Sequence, residues 1–336
     1  MQEQSITQEI TYLRRHFHQN PELSGEEYLT QEFIISYCKD FSCIIEKVKT
    51  GVLLYFDLNK EKIIGFRAEM DALPIEEKNN ISFASLKDGV MHACGHDGHM
   101  AILLLVAKYI NNYKNQLKNN YLLIFQPSEE KYGGSKSIAE SEFYLLHKPT
   151  YLIALHVFPT LEEGKVFSKA NAFLAMCCEI DIHIMGRSTH VCNIENGIDS
   201  IRIGNELIQM LYAYFDKIDK NNTRFLIGKV QGGKQRNIVS DDFQINITLR
   251  NFNKDNYMQQ RKHIDEIIDN LKQKYQCQID IGFNDDFDPV INDAELLTLV
   301  QRKYQIFKTD MSATRSISLS QPTARIFTES TIPNQM

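Results

Sequence analysis

The chain has 336 residues, 43% of them hydrophobic and 24% charged, with a formal net charge of -6, the balance of an ordinary folded protein without the basic excess that nucleic-acid binding requires. Its longest apolar run, Ala101 to Ala107, is too short to span a bilayer, and the polar start MQEQSITQEI has neither the basic nor the apolar region of a secretory leader. The seven cysteines are odd in number and irregularly spaced, unlike a secreted disulfide framework. The expectation is a cytoplasmic protein with neither nucleic acid nor membrane as a partner, long enough for two domains.

After an amphipathic helix in the first forty residues, β-rich runs alternate with helical segments: KIIGFRA (62–68), a helix over 99–111, YLLIFQ (121–126), a helix near Ser135, and YLIALHV (151–157). This alternation predicts an α/β domain with a mainly parallel sheet and helices on both faces. Open sheets of this kind carry their sites at the carboxyl ends of the strands. Asp71, the pair Glu129 and Glu130, and His156 each fall at or just after such an end.

Between the first two strands lies MHACGHDGHM (91–100), with Cys94, Asp97 and three of the ten histidines threaded by two glycines. A thiolate and an imidazole two residues apart can both face one small cation, so Cys94 and His96 are candidate metal ligands. His92 and His99 are weaker candidates, read as side chains that position the loop. In PSEEKYGG, Glu129 and Glu130 follow a buried strand; neighbours in extended chain point to opposite sides, so one can bind metal while the other handles a proton. A lone pair of glutamates is more often a solvated surface pair, and a lone strand-end histidine such as His156 is as often a packed residue as a ligand. Together with Cys94 and His96, Glu130 and His156 complete a mixed sulfur, nitrogen and oxygen set of the kind zinc and related metals accept. Cys94 as a nucleophile activated by histidine is the alternative, and it leaves the two carboxylates and His156 without a role.

Beyond residue 170 the pattern changes to strict alternation, as in Glu179 to Ile184 and Phe243 to Leu249, which predicts half-exposed antiparallel strands. The order is strand (178–184), helix (198–215), strand (224–230), strand (242–250), helix (254–275) and strand (277–283), that of an inserted ferredoxin-like α+β lid or dimerisation domain. The expected boundaries are 1–169 and 285–336 for the catalytic domain and 170–284 for the insert. A helix from Glu295 to Phe307 would return the chain to the first domain, ahead of an irregular tail of 28 residues with ten serines or threonines. His16, His18, His147, His183 and His263 sit in polar or helical contexts and are read as structural.

Seven motifs in order, LRRHFHQNPELSGEE, RAEMDALPIEE, MHACGHDGHM, FQPSEE, ALHVFP, GRSTHVCNIENGIDSI and GGKQRNIVSDDFQINITLRNF, resemble the aminoacylase and carboxypeptidase class of dinuclear metallohydrolases. The likeness is to its amidohydrolase branch, with hippurate hydrolase and the plant auxin-conjugate hydrolases, and it runs from about Leu13 to Val300. The resemblance implies two divalent ions (zinc or manganese, with cobalt or nickel as others) held by Cys94, His96, Glu130 and His156, Glu129 as general base, and Asp71 supporting the ligands from behind. It also implies that His190 stabilises the oxyanion in the neighbouring subunit of a homodimer formed through the lid, and that Asn237 and Arg250 hold the substrate carboxylate. The implied substrates are N-acyl amino acids, hippurate-like or acetylated; a dipeptidase or carboxypeptidase of the same superfamily is the next reading. Two departures stand out. Glu69 occupies a position where the family usually has aspartate, and the family's last metal-binding histidine has no counterpart, because no histidine follows His263. The pattern fades after Val300, as a truncated or altered ending would make it, and a metal-binding chain without turnover is the reading that ending favours.

Overall fold

A computed structural model describes residues 3–131, 133–159, 161–287, 289–303, 306–308 and 325–328. The chain forms two compact units, one of Met1–Asn171 with Ile291–Met336 and one of Ala172–Val290. No helix among the described residues is long and apolar enough to cross a membrane.

The first unit begins with α1 (Glu3–Gln19), α2 (Tyr28–Cys38), β1 (Ile44–Val48), β2 (Gly51–Phe56) and β3 (Ile63–Glu69). It continues through α3 (His96–Tyr113), β4 (Asn120–Gln126), α4 (Gly134–Ala139), α5 (Glu142–Leu146), β5 (Tyr151–Ala154) and β6 (Val166–Ser168). The main sheet has the order β1-β2-β4-β3-β5, closed at its far edge by Arg325–Thr328. Its centre is parallel, with β3 between β4 and β5, while β2 and the edge strand run against their neighbours. Helices cover both faces, and β2 shows why its sequence carries no alternation. Val52, Leu54 and Phe56 pack on the α1, α2 and α3 side with Phe17, Ile34 and Leu104, whereas Leu53 and Tyr55 pack on the opposite side with Ile138 and Tyr144. A strand buried on both faces is apolar throughout. That is also why GVLLYF escapes a period-two reading.

In the second unit β7 (Asn171–Leu174) and β8 (Met176–Met185) are followed by α6 (Ser200–Phe215), β9 (Thr223–Gly232), β10 (Asp242–Asn251), α7 (Lys254–Tyr275) and β11 (Gln278–Phe287). The sheet order β11-β8-β10-β9 is antiparallel throughout, with Ile180 opposite Ile247 and Ile182 opposite Ile245. The inward members of the alternation meet α6 and α7 through Leu207, Leu211, Ile264 and Ile268. This is the ferredoxin-like arrangement that the element order implies.

The chain then continues through β12 (Val290–Asn292), α8 (Ala294–Lys303), β13 (Ile306–Lys308) and β14 (Arg325–Thr328). The return helix is shorter than its sequence suggests: Ile306 and Phe307 lie in β13, which pairs in parallel with β6. Within the expected irregular tail, Arg325–Thr328 pairs antiparallel with β5, and the rest of that tail lies outside the described residues.

Candidate metal centre

The parallel strands β3, β4 and β5 deliver Asp71, Glu129 with Glu130, and His156 just past their carboxyl ends, and the turn before α3 brings Cys94 and His96 to the same place. Gly95 begins that helix in the left-handed region (φ 84), and a β-carbon on it would lie 2.4 Å from a Val157 methyl. Only glycine lets the ligand turn sit this close to the His156 loop. On the other side, a β-carbon at Gly134 would meet the Pro127 carbonyl oxygen at 1.7 Å, so the segment after the glutamate pair folds back on β4.

The ligand atoms of Cys94, His96 and Glu130 lie within 4.8 Å of one another, and those of His96, His99 and His156 form a second group of the same size. His96 belongs to both. Its Nδ1 lies 2.8 Å from the Asp71 carbonyl oxygen, and the Nδ1 of His156 lies 2.6 Å from the Val157 carbonyl oxygen. A carbonyl only accepts, so each Nδ1 carries a hydrogen, and in the neutral ring each Nε2 presents a bare lone pair. Both Nε2 atoms are buried without a hydrogen-bond partner among the described residues, as is Oε1 of Glu130. Unpaired buried polar atoms are costly, and two imidazole lone pairs, a carboxylate oxygen and a thiol converging this way fit a divalent transition metal.

The charges agree. Burial lowers the basicity of His96, but Asp71, Glu69 and Glu129 outweigh it and raise its pKa to about 9, so the surroundings favour a positive charge there. Burial, reinforced by His99, drives His156 down to about 2 and keeps its ring neutral. Burial and the adjoining Glu130 and Glu129 push the Cys94 thiol up, so a bound cation must displace its proton. Glu130 is raised by burial, with Glu129 adding to the effect.

Glu129 and Glu130 do not point apart. Oε2 of Glu129 and Oε1 of Glu130 each lie 4.0 Å from Nε2 of His96. The reason is local: Ser128 takes φ 49, and the chain bends through both glutamates instead of continuing as strand. Asp71 stands behind them, its Oδ2 accepting from the Glu130 N–H at 2.9 Å and the Ser24 hydroxyl at 2.6 Å.

His99 is inside the cluster yet already engaged. Its Nε2 accepts the Val157 N–H at 3.0 Å, which places its hydrogen on Nδ1, 3.0 Å from Glu69. His92 is buried, and neither of its nitrogens has a hydrogen-bond partner among the described residues. His18, read from sequence as structural, is 2% exposed and spans two acids, Asp97 at 2.8 Å and Glu77 at 3.1 Å, with Arg14 also on Asp97. It braces the first turn of α3, one residue from His96. Its only sequence signal is a place in the first resembling motif.

In the second unit His190 and Asn237 are exposed and adjacent: Asn237 Nδ2 lies 3.4 Å from His190 Nε2, and the Val191 N–H donates to the Asn237 carbonyl. Arg250 is engaged elsewhere, its guanidinium 2.8 Å from Glu179 and donating to Thr248.

Residues 65–333 match the family described as peptidase family M20/M25/M40, a match that continues past Val300. An N-acetyldiaminopimelate deacetylase of Priestia megaterium is 32% identical over 294 residues, 86% of this chain and 78% of that protein. Another, of Lactobacillus helveticus, is 30% identical over 299 residues, 86% of this chain and 77% of that protein. Among solved structures, a dinuclear metal-binding peptidase from Bacillus subtilis superposes with a TM-score of 0.79 at 26% identity, over 96% of this chain and 85% of that one.

Proposed function

Since the chain belongs to peptidase family M20/M25/M40, and is therefore a metal-dependent hydrolase of amide bonds, we propose that it releases the amino acid from N-acyl amino acids, acetylated ones foremost. The observation that carries this reading is the set of buried, unpartnered atoms His96 Nε2, His156 Nε2 and Glu130 Oε1, with the half-buried Glu129 at the same nitrogen. Cys94, His96, Glu130 and His156 would hold the divalent ions, zinc or manganese by preference and cobalt or nickel as alternatives. Such an ion, when bound, acidifies water and polarises the scissile carbonyl. Glu129, the carboxylate left over from ligation, takes the proton of the attacking water and returns it to the leaving amine. Asp71 orients His96 through its carbonyl and Glu130 through its carboxylate.

The smaller unit supplies recognition in this reading. His190 donates to the oxyanion, in a homodimer formed through that unit, and its pairing with Asn237 favours a shared role at the substrate. Arg250 would contribute by sharing its guanidinium between Glu179 and the substrate carboxylate. A cytoplasmic location belongs to the same reading. The acetyl preference rests on the two deacetylases named above.

A substrate panel tests it. Purified protein with added zinc or manganese is offered N-acetyldiaminopimelate, other N-acetyl amino acids, hippurate and dipeptides. Turnover of acetyl amino acids that stops with chelator and returns with metal supports the proposal. Turnover of dipeptides alone, or metal binding with no turnover of any acyl amino acid, contradicts it.

A further inference from the structure

Both hydrogen-bonding groups of Val157 are committed to histidines, its N–H to Nε2 of His99 at 3.0 Å and its C=O to Nδ1 of His156 at 2.6 Å. His99 is itself fixed from behind, because Glu69, 1% exposed, accepts from its Nδ1 at 3.0 Å and from Arg67 at 2.7 Å. The Arg67 side chain is anchored in turn by Gln126 at 2.6 Å, at the end of β4. The links form one chain from β3 to the loop past β5: Arg67, Glu69, His99, the Val157 backbone, His156. We infer that His99 and Glu69 are positioning residues that set the tautomer and direction of His156 through the Val157 backbone. This rests on His156 being a metal ligand.

The competing view makes His99 a ligand, since its ring lies 4.4 Å from that of His156. Its hydrogen bonds decide against this. Both nitrogens are in use, and ligation through Nε2 would break the part-buried hydrogen bond from the Val157 N–H, whereas Nε2 of His156 has no other partner among the described residues. The chain also gives a use to glutamate at position 69: the carboxylate reaches Arg67 and His99 at once. Aspartate, one methylene shorter, draws back from His99.

The test uses full-length protein and two readouts. Long-range proton–nitrogen spectra of metal-free, histidine-labelled protein report the tautomers, with His156 assigned through H156N. Cobalt titration followed by visible absorbance reports affinity. In the wild type His156 carries its hydrogen on Nδ1. In H99L, where the apolar side chain fills the space and accepts nothing, His156 becomes a tautomer mixture and cobalt affinity falls about tenfold to a hundredfold. H99Q, whose amide oxygen accepts the Val157 N–H, recovers most of both, and E69D shows a smaller loss of the same kind. Unchanged His156 tautomer in H99L overturns the proposal. So does an H99Q that binds cobalt no better than H99L, which makes His99 a ligand. If H99L fails to fold, E69D decides: a wild-type His156 signal there overturns the proposal. A wild type that takes up no cobalt defeats the metal reading, while the metal-free tautomers still judge the positioning chain.

Discussion

The ligand turn of the larger unit and the polar loop of the smaller one carry candidate residues in opposite states. Around the turn most polar atoms are buried and paired, and among the described residues those left without partners include His96 Nε2, His156 Nε2 and Glu130 Oε1, beside Asp71 Oδ1 and both nitrogens of His92. Around His190 the side chains are exposed, the contact to Asn237 is long at 3.4 Å, and Arg250 already has a carboxylate. On the proposed function, the difference is that between a site organised in advance for an ion and groups that would take up their roles against a bound molecule. Unmet hydrogen-bonding capacity is concentrated in the first.

Substitutions sharpen that contrast. The largest effect is expected from His96→Ala, which removes the residue common to both donor groups. It should abolish stable zinc binding, measured by metal content after dialysis, and zinc retained at the wild-type level would break the assignment of the centre. His190→Ala should lower kcat by about 10² to 10³, the usual effect of losing an oxyanion donor, with metal content unchanged. A loss of metal in that variant would mean the two regions are not separate in role.

His18→Gln comes next, because it leaves Asp97 and Glu77 buried against a neutral amide. The cost is about 3 kcal/mol in urea unfolding of the metal-free protein. The pH dependence has a definite sign. The hydrogen bond to Asp97 raises the His18 pKa above 6.5, so its stabilisation is complete below that value and is lost as pH rises through the folded value. Burial raises Asp97, but His18 holds it below 3.8 overall, and Glu77 is held below 4.5 against its own burial by the Ser85 N–H and then His18, so their contribution fades on acidification. The difference between wild type and variant should be widest at about pH 5 to 6, and a difference that grows toward pH 9 would contradict the pairing. The smallest effect is Asn237→Ala, about tenfold in kcat/KM, the worth of one hydrogen bond of about 1.4 kcal/mol.

Much of this was legible in the sequence where the signal is local. The alternation of β8 and β10 gave their buried faces directly, and the spacing in MHACGHDGHM marked Cys94 and His96. What stayed hidden depends on partners far along the chain. His18 and Asp97 are 79 residues apart and meet only because α1 packs on α3. Glu69 and His99, 30 apart, meet across the sheet end, so the histidine that looked like a loop prop is the middle of a hydrogen-bonded chain. The glutamate pair misled for a different reason: the rule that neighbours diverge holds in extended chain, and Ser128 ends the extension just before Glu129. His190 and Asn237 stood out only through the resemblance, since nothing in their own surroundings distinguishes an exposed histidine and asparagine from ordinary surface.

The central claim is that ligation and proton transfer are divided between adjacent glutamates, and one sample tests it. Glu129→Gln is loaded with zinc, its metal content is measured, and its turnover of an N-acetyl amino acid is followed beside the wild type. The account predicts wild-type metal content with turnover reduced by about 10² to 10⁴, the share general acid–base catalysis supplies. Turnover at the wild-type rate with zinc in place would remove Glu129 as the base, and loss of the zinc itself would make it a ligand.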